Sequence, residues 1–197
     1  MTLNDHWGFH ISDEEWKSPR AVIRMLLTCA NGNGNLLLNI GPRGDGSVPE
    51  RSAEIVRTVG KWLADGGREA VTDNVLMTLN PYFRKADERT DWDGAGIFSA
   101  SGNNMFFTML YCPGEKLTFT GFEMQVERIV TRQAGELKFV QSGDRIEIVL
   151  PESLRSAFCP VLRMECASAP SIYRTGGMRI PKCRHTRYDP CTSDIQY

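Results

Sequence analysis

The sequence lacks a charge excess of either sign: 23 lysines and arginines stand against 24 aspartates and glutamates, a formal net charge of −1 over 197 residues. So balanced a chain has no general field for polyanions, which leaves nucleic acid and membrane lipid without an electrostatic case as partners. Long hydrophobic runs are missing too. Leu36-Leu37-Leu38 is the longest and is broken at Asn39, where a membrane helix needs ~20 apolar residues. Met1-Thr2-Leu3-Asn4-Asp5-His6 has neither the basic nor the apolar region of a secretory signal, so either the protein is cytosolic or its true beginning lies upstream.

Cysteine is sparse, six residues with no C-x-x-C pair, which excludes a densely cross-linked small domain. Cys29 and Cys159 lie in apolar stretches and read as small buried hydrophobes. Cys183 and Cys191 flank a loop-like tail, either as a pair in an oxidising compartment or as free thiols. Histidine is scarcer, at three. His6 and His10 have the i, i+4 spacing of a metal pair, but Gly8 lies between them and the motif's glutamate is missing, so no metal is expected. Asp87, Asp91, Asp93 and Gly94 imitate a calcium loop, yet that register puts Arg89 and Ala100 at ligand positions. The glycine loops fail as phosphate cradles: Gly44-Asp45-Gly46-Ser47 lacks the Walker lysine, and Gly32-Asn33-Gly34 precedes a strand instead of following one.

What is present divides in three. Ser18-Pro19 starts a helix bearing Val22, Ile23, Leu26, Leu27 and Ala30, with Asn31-Gly32 as its left-handed stop. Asn35 to Gly41 reads as a strand covered on both faces, as in a parallel sheet, and Pro49 opens a second helix that stops at Gly66-Gly67. From Val71 the rhythm is that of an antiparallel β-sandwich, with strands at 96–100, 104–111, 117–120, 136–140, 145–150 and 161–166. After Ser168 the chain reads as linker or the start of a further segment.

One strand between two helices cannot close a sheet. Burying Leu36, Leu37, Leu38 and Ile40 is worth roughly 6–12 kcal/mol, which rivals the ~5–15 kcal/mol stability of a whole domain. The strand therefore needs neighbours, and no comparable parallel run exists in the sequence. A partner chain or, preferably, an upstream part of a longer protein is expected to supply them. Trp7-Gly8-Phe9, outside any clear helix, is either a core plug or a flat platform for a ligand such as a sugar. Asn39 must bond a neighbouring loop or face a ligand.

Thr2 to Phe9, Trp16-Lys17-Ser18, Asn35 to Pro42 with Gly44-Asp45-Gly46, Gly60-Lys61-Trp62-Leu63 and Gly66-Gly67, taken together and in order, resemble the end of the catalytic barrel of α-L-fucosidases, glycoside hydrolase family 29. The resemblance covers about a third of the chain, and the β-rich part is similar to the sandwich those enzymes carry. It implies an α/β piece followed by an all-β one: a C-terminal fragment of a (β/α)8-type barrel (residues 1–70, last strand 35–41, final helix 49–65), a β-sandwich (71–167) and a linker (168–197). It also implies a retaining hydrolase for terminal α-L-fucose that uses two carboxylates. The pair is expected upstream, so no catalytic residue is assigned: Asp5, Asp13, Glu14, Glu15 and Asp45 match no catalytic position. Trp7 is expected to line the sugar pocket against the C5-methyl group, with Asn4, Asp5 and Phe9 shaping its rim. Cofactors and metals are not implied. The implied partner is a fucosylated glycan, with no nucleic acid and no membrane. Homo-oligomers stay open, and the implied location is secreted or periplasmic. The pattern departs from the family's at Gly66 to Ala70.

The rival reading is a non-catalytic carbohydrate-binding module. Exposed Tyr82, Phe83, Trp92 and Phe98 would favour it, with Phe106, Phe107, Phe119 and Phe139 filling its core.

Overall fold

The computed structural model describes residues 1–72 and 95–170. Helix α1 (Pro19–Asn31) begins as its sequence predicts: the Ala21 N–H donates to the Ser18 hydroxyl oxygen at 3.1 Å, and Pro19 sits in the first turn, where a missing N–H costs nothing. The stop differs in one respect. Gly32 keeps φ −84° and Asn33 takes the left-handed position at φ +53°, so that the Gly34 N–H reaches the Cys29 carbonyl at 2.8 Å. An asparagine thus closes the helix in the role usually left to glycine.

Helix α2 (Glu50–Trp62) does not end cleanly at Gly66-Gly67. It widens into one π-helical turn (Leu63–Gly67), broken by Gly66 at φ +116°, and resumes as α3 (Arg68–Val71). Gly67 has a steric reason: a Cβ there would stand 2.5 Å from the Trp62 ring.

Between α1 and α2 the Leu-rich segment departs from expectation. It forms no full strand and is bridged only at Asn39, in parallel with Thr2. The Leu3 N–H donates to the Asn39 carbonyl at 3.1 Å and the Asn39 N–H to the Met1 carbonyl at 2.8 Å. Residues 1–3 therefore supply one parallel neighbour, with α1 as the crossover, a role the sequence did not betray because three residues carry no periodicity. No other described segment flanks it, and Leu37 is 73% exposed.

From residue 95 on, the described strands pair antiparallel. Strands β1 (Gly96–Ser101), β2 (Asn104–Met109), β3 (Lys116–Phe119), β4 (Val126–Thr131), β5 (Gly135–Glu136), β6 (Phe139–Ser142), β7 (Arg145–Val149) and β8 (Val161–Cys166) form two sheets, in the orders β1-β2-β8-β4-β5 and β3-β7-β6. A short helix α4 (Glu152–Arg155) precedes β8.

Side chains alternate across each strand, and the two faces of the larger sheet serve two cores. Met105, Phe107, Met109, Leu162 and Met164 point toward Leu117, Phe119, Ile146 and Ile148 of the smaller sheet. Ile97, Phe106, Leu110 and Val161 point the other way, into a cluster with Leu3, Val22, Ile23, Leu27, Ile55, Val59, Trp62 and Ala70. The result is three layers: helices, large sheet, small sheet. Phe106, Phe107 and Phe119 are buried as expected and Phe139 packs part-buried at the margin. Phe98 corrects the rival reading, because it is only 8% exposed and lies in a ring cluster 4.8 Å from both Phe107 and Phe119. Tyr82, Phe83 and Trp92 lie outside the described residues. Among the described residues no helix is long and apolar enough to cross a membrane.

Candidate functional site

Residues 1–3 and 37–39 run parallel, so their carboxyl ends open on one side into the loops 4–17 and 41–48. That is the side of a parallel sheet on which ligand sites form. The two loops touch. A Cβ on Gly41, whose φ is +55°, would meet the Gly8 and Phe9 backbone at 3.7 Å. The Asn39 side chain ties them: its amide donates to the Trp7 carbonyl, and its Oδ1 lies 3.5 Å from the Gly41 N–H. The Asn39 amide is thus satisfied by a neighbouring loop.

On this platform Trp7 is 61% exposed and Phe9 40%. The Arg43 guanidinium lies 5.3 Å from the Phe9 ring centroid, a cation–π contact between the two loops. Asn4 is buried, its carbonyl taking hydrogen bonds from the Thr2 hydroxyl and from Lys17 Nζ, so it supports the rim from below. Asp5 is exposed. In the 41–48 loop both the N–H and the hydroxyl of Ser47 donate to Asp45 Oδ1, at 2.9 and 2.7 Å. The Ser47 hydroxyl and N–H hold the Asp45 carboxyl below the usual aspartate range.

His6 and His10 stack, with ring centroids 4.6 Å apart and planes 14° from parallel. Nearly parallel rings at that separation do not converge their nitrogen lone pairs on one ion, and among the described residues no group of three or more metal-ligating side chains forms. His6 Nδ1 instead lies 2.7 Å from Asp13 Oδ2, and an ionised carboxylate only accepts, so Nδ1 carries the hydrogen. Burial raises the Asp13 pKa, but the His6 ring, the His6 and Glu15 N–H groups and the His6 charge outweigh it and leave the carboxyl below its ordinary range. The Asp13–His6 contact and the Arg43–Phe9 contact join residues that no sequence pattern connects. No local signal reveals either, since the partners are separated by loop geometry alone.

Away from this platform a depression of about 360 Å³ lies where the π-helical turn meets β4, β5 and β8. There Arg132 and Arg163 pair with Glu69, Arg128 with Glu136 and Glu165, and Arg163 also with Glu165. Opposite charges alternate and leave no net field for an ionic ligand.

The loop platform therefore offers two half-exposed rings, a cation and an imidazole pair. Such a surface suits a small neutral molecule with one apolar face and a hydroxylated edge.

The sequence model of the α-L-fucosidase family matches residues 1–68. Curated relatives include an α-L-fucosidase of Branchiostoma floridae, 26% identical over 113 residues that make up 56% of this chain and 23% of that protein. The plasma α-L-fucosidase of Rattus norvegicus is 29% identical over 96 residues, 41% of this chain and 21% of that one. Solved structures of similar fold include α-L-fucosidase isoenzyme 1 from Paenibacillus thiaminolyticus, with TM-score 0.69 and 23% identity over 85% of this chain and 39% of that chain. The Thermotoga maritima α-fucosidase in complex with fucose gives TM-score 0.66 and 22% identity over 83% of this chain and 38% of that one. This chain thus spans 21–23% of the length of these curated relatives. In family pattern over residues 1–68, in sequence and in fold, the resemblance is to the α-L-fucosidases.

Proposed function

We propose that this chain is the C-terminal portion of a retaining glycoside hydrolase that removes terminal α-L-fucose from glycoconjugates. One observation carries the reading: a parallel pair joined through α1, with no further neighbour among the described residues, whose carboxyl-end loops bring Trp7, Phe9 and Arg43 together. In a (β/α)8-type barrel residues 35–41 would be the last strand and residues 1–3 its neighbour. Leu38 and Ile40 pack on the helix side, so exposed Leu37, on the opposite face, would then point into the interior of the cylinder.

In this reading the chain contributes recognition, not bond cleavage. Retaining hydrolysis needs a carboxylate nucleophile and a carboxylic acid ~5–5.5 Å apart, one attacking and one protonating across an oxocarbenium-like transition state. Asp13 engages both carboxylate oxygens and Asp45 its Oδ1 within their own loops, which supports placing that pair elsewhere. Trp7 would cover the C5-methyl side of the sugar, with Phe9 beside it under Arg43.

The test has two arms. The chain by itself should release no aryl alcohol from an aryl α-L-fucoside, while a longer protein containing it should. In the longer protein Trp7→Ala should weaken L-fucose binding about 10-fold, or ~1.4 kcal/mol. Turnover by this chain alone would end the fragment reading, and undiminished binding by Trp7→Ala would remove the sugar contact.

A further inference from the structure

We propose that Asp13 is the positioning residue of the aromatic rim: its carboxylate holds the His6 end of the 6–10 segment and its main-chain N–H the His10 end, and together they set where Trp7 and Phe9 stand. This rests on the reading of Trp7 as a sugar contact only for its functional consequence; the clamp itself is geometric.

Asp13 is 8% exposed as a residue and its side chain only 2%. Its Oδ2 accepts the His6 N–H at 2.8 Å and faces His6 Nδ1 at 2.7 Å, its Oδ1 accepts the Glu15 N–H at 3.3 Å, and its own N–H donates to the His10 carbonyl at 3.1 Å. His6 directly precedes Trp7 and His10 directly follows Phe9. The stack of the two imidazoles closes the clamp from the ring side, and the Ser12 N–H steadies His10 through its Nδ1 at 3.3 Å.

The middle of the segment needs such clamping. Gly8 has no heavy atom within 4 Å of where a Cβ would be, and glycine leaves the backbone free to swing. The Trp7 carbonyl accepts a hydrogen bond from the Asn39 amide, which ties the backbone but leaves the indole to follow the segment. With its oxygens engaged by the loop, Asp13 is not presented to a substrate, so its part is to place the rings.

The charged and titratable groups around this clamp are Asp5, His6, His10, Glu14, Glu15 and Lys17 on the same loop, and Arg43 and Asp45 on the facing one. Of these only the His6 ring lies within hydrogen-bond distance of the Asp13 carboxylate. A carboxyl held below its ordinary range stays ionised throughout that range, and its contacts fail only as the pH falls through the lowered value.

The experiment follows the Trp7 indole N–H resonance of the full chain, assigned with Trp7→Phe, in the absence of sugar. In Asp13→Asn and in His6→Ala that resonance should shift or broaden while the Trp62 indole, bonded to the Cys159 carbonyl at 2.8 Å, stays in place. Acid titration of the wild type should move the Trp7 signal with a midpoint below ordinary aspartate values, and Asp13→Asn should abolish that response. Asp13→Glu should restore part of it. L-fucose binding should weaken about 3- to 10-fold in Asp13→Asn. An unchanged Trp7 signal in Asp13→Asn overturns the proposal; should that variant lose the Trp62 signal by unfolding, His6→Ala decides in the same way. Undiminished fucose binding by Trp7→Ala would remove the sugar reading while leaving the indole result to stand or fall by itself.

Discussion

Cys159 adopts φ +47°, the left-handed region that side chains other than glycine and asparagine seldom occupy. It holds there because its surroundings fix it. Its carbonyl accepts the Trp62 indole N–H, and its side chain is buried in the cluster between helices and sheet. Burial raises its thiol pKa against the opposing effect of nearby Arg20, and burial with the Glu127 charge pushes Cys166 up to about 11. At pH 8 both thiols stay protonated and enclosed, whereas Cys112 is exposed. Alkylation of the folded protein followed by peptide mapping should label Cys112 first and reach Cys159 and Cys166 only after unfolding. Equal labelling of all three would contradict the packing. The buried character of Cys159 was legible from its apolar neighbours. Its backbone conformation was not, because that conformation is imposed by Trp62, 97 positions away in sequence.

Among the elements, α1 shows how far local chemistry reaches. Ser18, Pro19 and the spacing of Val22, Ile23 and Leu27 suffice to place its start and its buried face. Ser18→Ala should cost ~1 kcal/mol, as removal of an N-cap does, and chemical denaturation should show it as a lower midpoint at unchanged slope. Strand β4 is the opposite case. Its register slips at a bulge between Val126 and Arg128, and Glu127-Arg128 places two exposed charges in succession, which erases the alternation that marks a strand. The predicted strand 136–140 likewise divides: Gly135–Glu136 belongs to one sheet and Phe139–Ser142 to the other. A chain that changes sheets within a few residues leaves no periodic trace. The same limit explains the site. The pattern around Trp7 was readable, but the Asp13 clamp and the Arg43–Phe9 contact exist only once two loops have been brought together.

For the whole molecule, the flank of the parallel pair that no described residue covers makes a prediction that tests the barrel proposal. In this chain Leu37 is solvent-facing, so Leu37→Asp should change stability by no more than about 0.5 kcal/mol. In a longer protein whose remaining strands close a barrel over the face that carries Leu37, the same substitution buries a charge and should cost more than about 2 kcal/mol. Matched thermal melts of the two proteins would decide, and equal small effects would speak against a closed barrel.

The large sheet has a further consequence, because neighbouring residues of β2 serve different cores: Phe106 faces the helices and Phe107 the small sheet. A sandwich cut free of residues 1–72 would turn Ile97, Phe106, Leu110 and Val161 outward as an oily patch of the kind that drives self-association. Anyone grafting this β-unit onto a different protein must therefore carry the helical saddle along with it, or repaint that face with polar side chains.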